Sequence, residues 1–230
     1  MSGVASRVKI VGDGEDLFLS TSCSYIESEN LRFRRMKISD AVPLHTLFED
    51  AVNYQAYGKK GGEPAEVVLS MVEKDISRPY YTGYLLETLE SRQILGMGAL
   101  ECGEAGPSEL QIYEFLSSEP EKLGLTGKSR EGLYREMVLT LIVAAKNFID
   151  IDELQDGRKI ERVVITLRDP KTSGFSGVAL DDLEMRNAVI ESIFGEPSRI
   201  LDPKGSSLRR FVYACEIAGL DALLTRNDYA

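Results

Sequence analysis

The apolar residues of this chain fall into short strand-like runs and longer helical stripes, and their order sets out an α/β domain. From Leu31, LRFRRM reads as a strand, after which Leu44, Leu47, Phe48 and Ala51 recur at i, i+3, i+4 and i+7, the spacing of one helical face. Ser39-Asp40 offers that helix an N-cap and Pro43 suits its first turn. Pro64 opens a second helix with Val67, Val68 and Met71 as its stripe. Two strands follow, YYTGYLLETL and ILGMGALE, joined by the polar Glu90-Ser91-Arg92-Gln93 in a hairpin signature, and then a third, ELQIYEFLSS, beyond the turn residues Gly103 to Ser108.

From Ser129 to about Ile149, Leu133, Met137, Leu141, Ala145 and Phe148 share one face, widened by Val138 and Ile142, which predicts a long and largely buried helix. The strand ERVVITLR, the irregular DPKTSGFSGVAL and a helix near Asp182 to Phe194 come next. SRIL, a turn at Asp202 to Ser206, the strand LRRFVYAC and a short helix close the chain. Before Leu31, VKIV and LFLS flank Gly12-Asp13-Gly14, as in a hairpin added to the domain or a loose arm. The expected division is an extension over 1–28 and one domain over 29–230.

Composition narrows the functions. At 230 residues and 43% hydrophobic content, the chain can bury one substantial core. Its 27 Lys and Arg against 37 Asp and Glu leave a formal charge of -10, which repels a phosphate backbone and argues against nucleic-acid binding. The same charge favours a cationic substrate or a basic protein segment. No apolar run approaches the length of a membrane span and the start has no leader pattern, so a soluble, cytoplasmic chain is expected. Cys23, Cys102 and Cys215 lie far apart and His45 is the sole histidine, so neither a zinc site nor a histidine-based triad is expected, and His45 reads as a packing or surface residue.

The stretch with the clearest chemistry is EKLGLTGKSREGLYREM, Glu121 to Met137, a glycine-bearing turn running into the long helix. It could cradle ATP, grip the pyrophosphate of coenzyme A, or simply start a helix capped by Ser129. Gly127-Lys128-Ser129 fits the end of a P-loop, and VVITLRD could imitate a strand ending in a metal-binding Asp169. Lys122, however, stands where the first glycine is needed, and at least three strands precede the loop.

The order β-α-α-β-β-β, glycine loop, long helix, β, α, β, β resembles the GNAT superfamily of N-acetyltransferases from Leu31 to about Cys215. LRFRRMKISDA is similar to that family's opening strand and turn, ILGMGALE to its third strand, and ELQIYEFLSSEPEKLGLTGKSREGL to the fourth strand with its coenzyme-A loop. VVITLRDP and SIFGEPSRI resemble the fifth strand and the end of the following helix. The resemblance implies an α+β (α/β) fold: a mixed, mostly antiparallel central sheet with helices on both faces and splayed fourth and fifth strands. It also implies acetyl-CoA (acyl-CoA) as cofactor, bound by Leu116, Ser117, Ser118, Gly124, Leu125, Thr126, Gly127, Lys128 and Ser129. The family loop places Arg or Gln three residues before a glycine and a small residue two after it. Here Gly127 matches, while Gly124 replaces the cationic or amide residue and Ser129 the small one, leaving Lys128 or Lys122 to supply charge.

Amine acetylation needs an uncharged amine, a donor for the developing oxyanion and a proton for the departing thiolate. In the resemblance the donor falls near Leu116 or Ser117. Glu114 interrupts the apolar face formed by Leu110, Ile112 and Leu116, so it is either paired or raised in pKa by burial, and it is a candidate base. Glu109 begins the same strand, nearer to where several family members place their base. The family's usual tyrosine after the fifth strand is missing between Asp169 and Arg210, and Lys171 replaces a frequent asparagine. Tyr213, Ser173 or water remain as acids, with Tyr213 also reading as a core aromatic. The expected function is transfer of an acetyl or acyl group to a primary amine of a small molecule or protein by direct attack on the thioester, with room for a homodimer. The alternatives are a GNAT-fold binding module that has lost catalysis and, further off, a P-loop nucleotide-binding protein.

Overall fold

A computed structural model describes residues 8–11, 25–49, 64–77, 81–102, 106, 108–117, 129–151, 159–202 and 209–229. Its strands are β1 (Lys9–Val11), β2 (Tyr25–Glu27), β3 (Leu31–Arg35), β4 (Tyr81–Thr88), β5 (Ile94–Cys102), β6 (Glu109–Leu116), β7 (Arg162–Arg168), β8 (Arg199–Leu201) and β9 (Arg210–Glu216). They form one nine-stranded sheet in the order β1-β2-β3-β4-β5-β6-β7-β9-β8. Every neighbouring pair is antiparallel except β6 with β7, which run parallel. That parallel pair requires the long crossover that the chain supplies between them.

Side-chain alternation divides the sheet into two cores. On one face Leu110, Ile112 and Leu116 of β6 pack with Val163, Ile165 and Leu167 of β7 beneath α3 (Arg130–Ile151) and α4 (Val178–Phe194). On the other, Leu85, Met97, Ala99 and Phe115 pack against α1 (Ala41–Phe48) and α2 (Ala65–Ser77). A fifth helix, α5 (Leu220–Arg226), buries Leu220, Leu223 and Leu224 in the first core. Gly98 permits the close seat of α3, since a Cβ there would lie 2.7 Å from a methyl carbon of Leu141.

The expected long helix is present, with Leu133, Met137, Leu141 and Ala145 all buried; the Phe148 side chain lies outside the described residues, as does Ala51 of the first helical stripe. Three local expectations differ from the structure. Asp40 does not cap α1: a 3-10 turn at Ile38–Asp40 precedes the helix, and the Asp40 carboxylate turns back to accept from the Lys37 amide at 2.8 Å and from Arg34. In α2 the buried stripe is Val68 and Val72, four residues apart, while Val67 is exposed. Helix α4 begins at Val178, earlier than Asp182, after Gly177 at φ +55°.

Part of the N-terminal extension joins the sheet. β2 pairs with both β1 and β3, and Ile26 is fully buried between Leu31 and Phe33 in the register of the first core. The Gly12-Asp13-Gly14 turn and LFLS lie outside the described residues. Just beyond β2, the buried Glu136 carboxylate of α3 accepts from the Ser28 hydroxyl at 2.6 Å and from the Asn30 amide and side chain at 2.7 Å each. Three donors satisfy a carboxylate that has no ion-pair partner among the described residues, and they tie the β2–β3 turn to the central helix.

Removing residues 1–28 therefore strips Ile26 from the core and Ser28 from Glu136. Fully burying one isoleucine is worth about 1.5–3 kcal/mol. The truncated chain should melt about 3–12 °C below the full chain by circular dichroism, at about 2–4 °C per kcal/mol for this size. A fall under about 2 °C would show that β1 and β2 add nothing to the core.

Candidate active site

The sheet opens where its two parallel strands separate. Glu109 to Ile112 of β6 pair with Arg162 to Ile165 of β7, and Ile112 with Ile165 is the last pair. β6 continues to Leu116 paired with β5 alone, and Thr166 to Arg168 of β7 continue paired with β9. The strands predicted to splay do so over their C-terminal ends. Because peptide groups alternate sides along a strand, the parted side of β6 carries the N–H and C=O of Glu114 and Leu116, while the Ser117 amide turns the other way to bond Leu95 at 2.7 Å.

Two arginines replace β7 as partners of those carbonyls. Arg130, the first residue of α3, donates from Nε to the Ser117 carbonyl at 3.0 Å and from Nη2 to the Leu116 carbonyl at 3.1 Å, and forms an ion pair with the buried Asp182 of α4. Arg186 of α4 donates from Nη2 to the Glu114 carbonyl at 3.4 Å and also to the Glu114 carboxylate. A buried strand edge left with bare carbonyls would cost about 1–3 kcal/mol per group, so these guanidiniums make the parting tolerable.

Glu114, Arg186 and Tyr134 form a closed buried group. Tyr134 donates its hydroxyl to Glu114 Oε1 at 2.8 Å and accepts from Arg186 Nε at 3.4 Å. Burial, and then the Glu114 charge, push the Tyr134 pKa well above its ordinary value. Burial opposes the Arg186 charge, but Tyr134 and Glu114 overcome it and hold the guanidinium above its ordinary value. The Glu114 carboxylate is thus paired with Arg186, the first of the two outcomes its place on an apolar face allowed.

The other expected residues scatter. Glu109 sits at the joined end of the parallel pair, buried, with Arg199 Nη2 at 2.7 Å from Oε2 and Arg162 Nη2 at 3.7 Å from Oε1. Tyr213 lies in the core under α4, 1% exposed, its hydroxyl 3.4 Å from Asn187 Oδ1. Burial and the charges of Glu191 and Asp169 push its pKa up to about 12, so it is a core aromatic and poorly suited to giving up a proton near neutrality. Leu116 and Ser117 do end the parted strand. Ser129 Oγ accepts from the Gly132 amide at 3.0 Å and caps α3. Ser118, Gly124, Leu125, Thr126, Gly127 and Lys128 lie outside the described residues.

Arg130, Tyr134, Asp182 and Arg186 are site residues that sequence reasoning missed. Arg186 had a legible signal, because it occupies the stripe Leu183, Ile190 and Ile193 at helical spacing, as Glu114 interrupts the apolar face of β6. Two charges breaking two apolar faces are a reason to pair them. A cavity of about 350 Å³ beside the first turns of α3 is lined by residues of the β2–β3 turn, α3 and the C-terminal segment, including Asn30, Ser129, Glu136 and Tyr229, and by none from β6 or β7.

No family model and no curated protein matches the sequence. Solved structures do match in shape. A GNAT-family acetyltransferase from Bacillus anthracis is 14% identical with a TM-score of 0.59, covering 84% of this chain and 99% of its own. The ribosomal-protein α-N-acetyltransferase RimL, solved with coenzyme A, is 18% identical with a TM-score of 0.57, covering 82% and 95%. Spermidine N-acetyltransferase from Vibrio cholerae, solved with coenzyme A and spermine, is 9% identical with a TM-score of 0.56, covering 83% and 97%. With its sheet order, its single parallel pair and the separation of that pair beside a long helix, the chain has the fold of the GNAT-family acetyltransferases.

Proposed function

We propose that this protein is an acyl-CoA-dependent N-acyltransferase that passes an acetyl group from acetyl-CoA to a primary amine. The observation that carries the reading is the parted end of β6 and β7, which leaves the Leu116 amide without a partner on its β7 side among the described residues. RimL and the spermidine acetyltransferase share this fold and were solved with coenzyme A, which supports the same cofactor here.

In this reading coenzyme A is held by the parted edge and by the turn entering α3, and it supplies the thioester that activates the acyl group. The chain binds, orients and polarises. The N-terminus of α3 carries the positive end of the helix dipole, which suits a pyrophosphate. Lys128 or Lys122 would supply charge in a loop that has Gly124 in place of the family's Arg or Gln. The Leu116 N–H is the donor for the carbonyl oxygen as charge develops on it, a role worth about 100- to 1,000-fold in rate. With Glu114 and Tyr213 committed to the core, water would take the proton of the incoming amine as the C–N bond forms and return one to the thiolate released when the C–S bond breaks.

A second reading, a binding module without turnover, draws on that same commitment of two expected catalytic side chains. Calorimetry separates the readings. Gly127→Asp puts a side chain and a negative charge in the loop and should weaken acetyl-CoA binding by about 2 kcal/mol or more. Lys128→Ala should weaken it modestly, whereas a P-loop would lose nearly all MgATP binding. Stabilisation of the wild type by MgATP and not by acetyl-CoA would overturn the proposal, and binding without amine-dependent release of coenzyme A would leave the second reading.

The role of Glu114 has its own test. Glu114→Gln leaves a buried guanidinium without its counter-charge, a loss of about 3–5 kcal/mol, and should lower Tm by roughly 6–20 °C. The double variant Glu114→Leu, Arg186→Met removes both charges and should recover most of that Tm. If Glu114→Gln instead keeps its Tm and loses turnover by about 100- to 10,000-fold, Glu114 is the base after all.

A further inference from the structure

The face of the sheet on which an acceptor would approach carries an unusual charge pattern. On the α3 and α4 side, the parted end of β6 is closed by Arg130, Asp182, Arg186, Glu114 and Tyr134. On the opposite face the helices α1 and α2 pack over β4 and β5, and at the far end of the β7–β9 ladder Arg168 is half-buried and Arg210 exposed. There β7 presents Arg162, Val164, Thr166 and Arg168, and β9 the register partners Glu216, Ala214, Val212 and Arg210.

The two ends of this ladder are treated oppositely. At the joined end, Arg162 faces Glu216 with Nε 3.8 Å from Oε1, and Glu109 lies between Arg162 and Arg199. At the parted end, Arg168 lies directly opposite Arg210. Like charges in directly opposed positions destabilise a sheet. Neither has an ion-pair partner among the described residues: Arg168 rests its guanidinium 5.4 Å from the Phe175 ring, and Arg210 is exposed. Asp202, one residue beyond the β8 partner of Arg210, is exposed and makes no ion pair with it. Asp169, the next carboxylate along β7, is taken by Arg209 at 2.7 Å. Burial, and then Arg210, pull the Arg168 pKa below its ordinary value, as expected for a cation that a neighbouring anion would relieve.

We infer that Arg168 and Arg210 receive an anionic group, carboxylate or phosphate, carried by the acceptor beside its amine. The inference rests on the acyltransferase reading and reverses, at the site itself, the cationic acceptor suggested by the overall charge of -10. Guanidinium forks match both oxyanions in a bidentate geometry. A single anion placed between the pair would neutralise the repulsion and hold the amine near the parted strands.

The test uses amines matched except for the anion: tyramine with tyrosine, cadaverine with lysine, ethanolamine with phosphoethanolamine. Acetyl-CoA-dependent release of coenzyme A should show kcat/KM at least about tenfold higher for the anionic member of the preferred pair. Whether tyrosine and lysine or phosphoethanolamine lead tells carboxylate from phosphate. Arg168→Gln and Arg210→Gln should each erase that preference through KM while leaving the calorimetric Kd for acetyl-CoA at the wild-type value, and Arg168→Lys should restore part of it. Equal or better use of the uncharged members overturns the inference. If acetyl-CoA binds but no pair is acetylated, the anionic members must still raise the Tm of the coenzyme-A-loaded protein, and Arg168→Gln must abolish the rise; failure of either overturns it. If acetyl-CoA does not bind at all, the acyltransferase reading fails first and the inference falls with it.

Discussion

A β-strand that leaves its neighbour must find other partners for its peptide groups, and the architecture around β6 follows from that requirement. Beyond Ile112 the parted edge cannot bond β7, and water has little access to a strand between two packed helical layers. Arginine solves the problem because one planar head carries several donors and can serve a carbonyl and a carboxylate together. Arg186 does so at Glu114, and Arg130 does so at Leu116 and Ser117 while holding Asp182. The Leu116 amide of the same edge has no partner on its β7 side among the described residues.

Bringing two guanidiniums into the interior has a cost, and the sequence meets it with matched carboxylates rather than with apolar volume. A buried pair is seldom more stable than hydrophobic residues of equal size. Its presence is best understood through what the pairs connect: Arg130 and Tyr134 lie in the first turns of α3, Asp182 and Arg186 lie on α4, and Glu114 belongs to β6. These contacts fix both helices against the separated strand at the one place where ladder bonds no longer do so. Farther along α3, ordinary packing suffices, as the seating of Leu141 over Gly98 shows.

The fold was largely legible because its elements are long and their apolar periods unambiguous. The stripe Leu133, Met137, Leu141 and Ala145 and the hairpin around Glu90 to Gln93 left little to choose. The misreadings arose where a short-range rule met a tertiary partner. Asp40 is a good cap by type, but Arg34 and the Lys37 amide take its carboxylate. Val67 and Val68 are equally apolar, and only the approach of the sheet to Val68 and Val72 decides which is buried. At the site the limit was different in kind. Sequence could show that Glu114 is out of place on its face, and it offered pairing or a raised pKa as the two outcomes. Choosing between them needed Arg186, which lies 72 residues away and reaches Glu114 only once α4 has crossed beneath β6.

The same distinction between local and distant information governs charge. A net charge of -10 describes the field far from the molecule, and at physiological salt that field decays over about 8 Å. It can raise the encounter rate of a protonated amine, but it has no say over which groups meet at contact. There the partners are individual side chains: in the ladder between β7 and β9, Arg162 is neutralised by Glu216, while Arg168 and Arg210, where the strands part, have no ion-pair partner among the described residues. An acceptor bearing both an amine and an anion fits both scales, drawn in by one end and held by the other.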